Sequence, residues 1–210
     1  MDEEYFSIRQ ASHSLIKREG SKFIADAFPV ESEEEAKKHL AEIKKKYFDA
    51  THHCYAVAIG ASRSFVRSSD DGEPSGTAGI KILSAVESKN LSDILVVVTR
   101  YYGGTKLGVG GLGRAYFESA LEALSQVEKI TKAELQIVKI SFPFDVTNSV
   151  MNLIHSSKLR IDATFYDVEK TILFVLIPPA EVNLLEQKFI DVTRGKISAE
   201  IAEKKTVVLH

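Results

Sequence analysis

One cysteine, Cys54, is all the chain contains, so no internal disulfide can form, which suits a reducing cytosol. No apolar run approaches the roughly 20 residues of a membrane helix; the longest aliphatic or aromatic stretch is Ile172–Ile177. The opening MDEEYFSIRQ is acidic and lacks the basic and apolar regions of a signal peptide. Net charge is only -2, so nothing draws the whole molecule to nucleic acid, and any anion binding requires a local patch. Internal repeats and low-complexity tracts are missing too. These absences argue against a membrane span, secretion and disorder. With 44% hydrophobic and 27% charged residues, the expectation is a cytoplasmic globular protein.

Patterning supplies the elements. Apolar and polar residues alternate on both sides of Glu19-Gly20, predicting a long hairpin. Ser32 followed by Glu35 predicts a capping box, and Ala36, Leu40, Ile43 and Tyr47 recur at helical spacing. A strand is expected at His53–Ile59, paired with Ser64–Arg67, and a short helix at Ile80–Lys89. Ile94–Val98 is apolar throughout, as a strand covered on both faces would be. The next helix, from about Val109 to Val127, carries Leu112, Tyr116, Ala120, Leu124 and Val127 in one stripe.

Beyond Thr131 the pattern changes. A strand at Leu135–Phe142 precedes a helix that Asp145 can cap. Strands around Ile161–Phe165 and Thr171–Ile177 follow, then a helix opened by Pro179 and closed by Gly195, and a last strand at Ile197–Leu209. That order, β-α-β-β-α-β, is the ferredoxin-like split motif. The reading is an α+β protein of two domains, residues 1–130 and 131–210.

Glycine marks the chemistry. Of 12 glycines, nine lie between Gly72 and Gly113, and backbones concentrate glycine where positive φ or close approach is needed. One cluster spans Asp70, Asp71, Gly72, Glu73, Ser75, Gly76 and Thr77. Its three carboxylates could hold Mg²⁺; alternatively it is a turn whose Ser75 or Thr77 caps the following helix. Ser75 lacks the G-x-S-x-G setting of an esterase nucleophile.

The second cluster contains Arg100, Tyr101, Tyr102, Gly103, Gly104, Lys106, Gly108, Gly110, Gly111 and Arg114. It leads from a buried strand into a helix start, where free N–H groups and the helix dipole favour an anion. No acidic residue occurs from Ile94 to Phe117. Phosphate of a nucleotide or of nucleic acid fits this field; a tight structural crossover with solvated cations is the alternative. Gly108–Gly113 matches G-x-G-x-x-G, but it begins well after the strand and is no dinucleotide fingerprint. Lys106 is followed by leucine, so it is no P-loop either.

A third feature is Thr51-His52-His53-Cys54. Within a strand, His52 and Cys54 share a face while His53 points away, and no second ligand pair at zinc-finger spacing exists. Packing or ligand contact is expected here, with no metal.

Together THHCYA, SSDDGEPSGTAG and VVTRYYGGTKLGVGGLGRAY resemble the motifs of the IMPACT/YigZ family, in the same order and across the whole N-terminal half. The resemblance implies a first domain like domain four of elongation factor G and the GHMP kinases, and a second like domain five of that factor. It also implies a link to translation: eukaryotic relatives regulate initiation by binding an activator of a stress kinase, and nucleic-acid binding has been proposed for bacterial ones. His53 departs from the family's usual asparagine, Tyr102 from phenylalanine, and Ile80-Lys81 from a basic-proline pair.

Three functions are therefore expected in turn. The first is a non-enzymatic RNA- or ribosome-associated regulator, with Arg100, Lys106 and Arg114 holding phosphates and Tyr101 and Tyr102 stacking on bases. The second is an enzyme using Mg²⁺ on a phosphorylated small molecule. The third is a docking module for a protein partner, its glycines serving the fold alone.

Overall fold

The computed structural model describes residues 4–209. The chain forms two compact units, one running Tyr5–Lys132 and the other Ala133–Leu209, with Glu4 grouped with the latter.

The first unit contains β1 (Glu4–Ile8), β2 (Ser12–Arg18), β3 (Ser21–Pro29), α1 (Glu33–Lys46), β4 (His52–Ile59), β5 (Phe65–Ser69), α2 (Gly79–Ser88), β6 (Ile94–Tyr101) and α3 (Gly108–Ser125). Its main sheet has the order β2-β3-β6-β4-β5, with antiparallel neighbours throughout. The expected hairpin is present: Glu19 and Gly20 both have positive φ, 45° and 77°, as a type I′ turn requires. At α1 the Glu35 amide donates to Ser32 Oγ, while the Glu35 carboxylate accepts from the Glu31 amide. The capping box thus closes one residue further back than its usual form.

β6 is the centre of the unit. Ile94, Val96 and Val98 pack with residues of α2 and α3, whereas Leu95 and Val97 pack with Ala36 and Ile43 of α1. Helices thus cover both faces of this strand, as its unbroken apolar run suggested, but between antiparallel rather than parallel neighbours. The same alternation carries Arg100 onto the α2–α3 side, in register with Phe23 of β3 and His52 of β4. The placement of the candidate site follows from that parity.

The second unit comprises β7 (Lys129–Pro143, which begins just before the boundary), α4 (Thr147–Ser156), β8 (Arg160–Tyr166), β9 (Lys170–Ile177), α5 (Val182–Thr193) and β10 (Ser198–Val208). The expected β-α-β-β-α-β order is observed, with β10 beside β7, β7 beside β9 and β9 beside β8. Ile140, Phe142, Leu173 and Val175 pack on Val150, Ile154, Leu185 and Phe189 of the helices. Asp145 does not cap α4: it sits in a short 3-10 turn whose helix starts without a side-chain cap, and its carboxylate binds Lys196 at 2.5 Å. Among the described residues no helix is long and apolar enough to cross a membrane.

The β2–β3 turn lies against the glycine-rich segment. A Cβ added at Gly103 would stand 1.9 Å from the carbonyl carbon of Gly20, a distance no packing adjustment accommodates. Gly103→Ala is expected to destabilise the unit by about 2 kcal/mol or more, read as a lowered midpoint in urea unfolding.

Candidate anion-binding site

Six residues, 102 to 107, link β6 to α3. The first two amides are taken: Tyr102 N–H donates to Thr51 Oγ1 at 3.1 Å and Gly103 N–H to Ser21 Oγ at 3.1 Å. The amides of Gly104, Thr105, Lys106 and Leu107 have no acceptor among the described residues. α3 then begins with no side-chain cap and no acidic residue in its first turn. Positive φ at Gly104 (86°) and Gly108 (68°) bends the chain through this region, which L side chains would strain. The result is an exposed run of N–H groups ahead of a helix dipole.

The cations are distributed differently from the expectation. Arg100 is buried, and its Nη1 donates to Glu73 Oε1 at 2.6 Å, so its charge is already spent inside the protein. Strand parity turned this side chain inward, and a sequence reveals the sign of a charge without its partner. Lys106 and Arg114 remain exposed and make no ion pair among the described residues. They border one groove together with Arg18, Thr105 and Gly111 and with two carboxylates, Glu19 and Glu118, the latter paired with Arg18. A second groove brings Arg114 beside Lys81, Gly76, Gly110 and Gly113. Lys81, not singled out in the sequence, thus joins the two glycine clusters; its signal was a lysine in the first turn of a helix that follows a glycine loop. Tyr101 also differs from expectation. It falls on the other strand parity, its hydroxyl donating to Asp49 at 2.8 Å, and only Tyr102 stands beside the turn.

The carboxylate loop is a scaffold. Asp70 accepts from the amides of Gly76 (2.9 Å), Ala78 (2.9 Å) and Gly79 (2.8 Å), capping α2 across a long loop in place of Ser75 or Thr77. Ser75 is exposed, and Thr77 Oγ1 donates instead to the Pro74 carbonyl at 2.6 Å. Asp71 accepts from the His53 amide at 2.7 Å and from Lys44 at 3.1 Å, and Gly72 lies against the His52 imidazole. Glu73 accepts from Arg100 and from the Tyr116 hydroxyl at 2.8 Å. Each carboxylate faces different partners, and no set of three or more metal-ligating side chains converges among the described residues. The three carboxylates of the loop are thus directed to separate partners.

His52 and Cys54 lie on the α2–α3 side with Arg100, and His53 on the other. His52 Nδ1 donates to the Asp71 carbonyl at 2.8 Å, leaving Nε2 3.9 Å from Glu73. Cys54 donates to the Asp70 carbonyl at 2.9 Å, and burial pushes its thiol up to about 12. A neutral thiol is no nucleophile, so Cys54 packs. Burial likewise raises the Tyr116 phenol and lowers the His53 imidazole. The strand motif therefore anchors the loop: His52 and Cys54 donate to its carbonyls and the His53 amide to the Asp71 carboxylate.

Two consequences are measurable. Glu73→Ala strands a buried guanidinium without its counter-charge, and the expected cost is about 3–5 kcal/mol in chemical denaturation, with Glu73→Gln costing less. For Asp70, burial opposes the charged form but the three amide hydrogen bonds outweigh it, holding its carboxyl below the ordinary value. Its contribution is therefore complete above the unfolded pKa of about 3.9 and is lost as pH falls through the lower folded value. Denaturation midpoints should drop below about pH 4 in the native chain, and less steeply in Asp70→Asn.

Comparison with known proteins bears on the same segments. Residues 19–124 match the model of the Impact N-terminal domain, a span that contains both glycine clusters and the His52–Cys54 motif. The chain is 34% identical to "IMPACT family member YvyE" of Bacillus subtilis over 91% of this chain and 88% of that protein. It is 40% identical to rat "Protein IMPACT" over 42% of this chain and 29% of that one. A solved structure described as that of a hypothetical protein superposes with a TM-score of 0.69 at 29% identity, covering 97% of this chain and 98% of the other. The chain belongs to the IMPACT family.

Proposed function

We propose that this protein binds RNA, in association with the ribosome, through the phosphates it holds on the 104–110 turn, and that it regulates translation by occupancy rather than by catalysis. One observation carries the reading: open amides, a helix N-terminus and three exposed cations with no ion pair among the described residues, Lys81, Lys106 and Arg114, adjoin one another. Gly110 supports it from a different direction. Nothing lies within 4 Å of a Cβ placed there and its φ is not positive, so the chain has no internal reason to keep a helix-weakening residue at that position. An outside group that approaches the backbone closely supplies the reason. The same point counts against glycines that serve the fold alone, as a pure docking module would have.

The enzyme reading loses its support here. The two glycine clusters do lie side by side, yet the carboxylates that would hold a metal or act as a base are engaged in hydrogen bonds and ion pairs. The link to translation comes from family membership, whose eukaryotic members act on initiation.

The test is fluorescence anisotropy with single-stranded RNA over a salt series. Lys106→Ala and Arg114→Ala should each weaken binding and lower the slope of log affinity against log salt by about 0.7, the loss of one phosphate contact. Gly110→Ala should stabilise the fold by about 0.5–1 kcal/mol and still weaken binding. Affinity and slope unchanged in all three variants would overturn the proposal.

A further inference from the structure

Phosphate binding by the turn leaves a neighbouring cavity unexplained. It measures about 340 Å³ and is lined by Glu73, Arg100, Tyr102, Leu107, Gly108 and Val109 among others. That volume is in the range of about 300–1,000 Å³ typical of small-molecule sites, and its walls are of a particular kind. Tyr102 is 46% exposed and Val109 69% exposed, facing solvent with apolar surface at the mouth of a pocket. The guanidinium carbon of Arg100 sits 5.4 Å from the centre of the Tyr102 ring, a cation–π contact that fixes the ring's position. At the floor, Arg100 and Glu73 are locked together, and the Arg100 Nε–H has no partner among the described residues. Lys106 and Leu107, two of the residues with open amides, also line it, so the pocket and the open amides share one rim.

A flat, partly apolar group joined to a phosphate fits both halves of this arrangement, and a nucleotide is such a molecule. We infer that the cavity receives the base of one unpaired nucleotide, stacked on Tyr102 and bordered by Val109, while its phosphate rests on the Gly104–Leu107 amides and Lys106. The inference rests on the RNA reading above and adds base capture to it. A base inside a duplex must first be unstacked and unpaired, at a cost, so the pocket selects single strands. Arg100 has a new part here: it positions the aromatic platform and does not touch phosphate. Tyr101, tied to Asp49, has no share in the stack.

The experiment compares one RNA sequence as a single strand and as a duplex, with adenosine monophosphate as a competitor, on the full chain. In the native protein the single strand binds more tightly than the duplex. In Tyr102→Ala the ratio of the two affinities falls about tenfold, the effect of losing one base–aromatic stack, and Tyr102→Phe restores it. Circular dichroism and the urea midpoint verify that each variant is folded. Competition by adenosine monophosphate that vanishes in Tyr102→Ala identifies a free nucleotide as a sufficient occupant. Tyr102-dependent RNA binding without such competition identifies the unpaired strand as the occupant. A ratio that Tyr102→Ala does not move overturns the base pocket, and if Lys106→Ala still lowers the salt slope, the phosphate reading stands without it. Failure of the single strand to bind at all removes both.

Discussion

A single buried ion pair holds the site together. Arg100 projects from the end of the central strand and meets Glu73 from the loop before α2 at 2.6 Å, with both side chains almost wholly removed from water. Such a pair contributes little net stability, because desolvation offsets the attraction, but breaking it is expensive. It therefore acts as a constraint on geometry. Through it and the Tyr116 hydroxyl, the 70–79 loop, β6 and α3 are fixed against each other, and these carry both glycine clusters. Asp70 extends the constraint by gathering three amides of its own loop, and the backbone of the His52–Cys54 strand holds Asp71 in place. What remains outside is a rim of unsatisfied amides and unpaired cations. The interior charge is neutralised, and the groove outside combines the Arg18–Glu118 pair and Glu19 with Lys106 and Arg114, while Lys81 lies in the adjoining groove.

Local features were legible in the sequence and long-range ones were not. Glu19-Gly20 announced a hairpin because a two-residue turn needs only its own residues. The Leu112–Leu124 stripe announced α3 because helical spacing is local. The density of glycine and the absence of acidic residues between Ile94 and Phe117 located the candidate site. The partners of Arg100, Glu73 and Asp70 could not be read in the same way. Asp70 caps a helix from outside its first turn, and Asp145, placed where a cap belongs, binds Lys196 instead. Arg100 looked like a surface cation since nothing nearby in the chain is acidic; its partner arrives from 27 positions away. Tyr116 was legible as core packing, yet its hydroxyl is also a member of the polar network.

The family's motifs acquire separate meanings in this structure. The hydrogen bonds of the strand motif and the DDGEPSGT loop set the backbone around the site. The glycine turn carries four consecutive amides without an acceptor among the described residues. His53 faces the α1 side and its Nε2–H donates to the Tyr47 carbonyl at 3.0 Å, away from the open amides. Tyr102, in place of phenylalanine, keeps the aromatic platform and adds a hydroxyl.

The central claim is that the main chain from Gly104 to Gly110 carries donors reserved for an external anion. Amide proton–nitrogen correlation spectra of the labelled protein, titrated with single-stranded RNA at low salt, test this directly. The account predicts that resonances of Gly104, Thr105, Lys106, Leu107, Gly108 and Gly110 move first and furthest, while those of Gly76, Ala78 and Gly79, already bonded to Asp70, shift little. Saturation by RNA with the turn's resonances unmoved and the perturbations gathered elsewhere would contradict it.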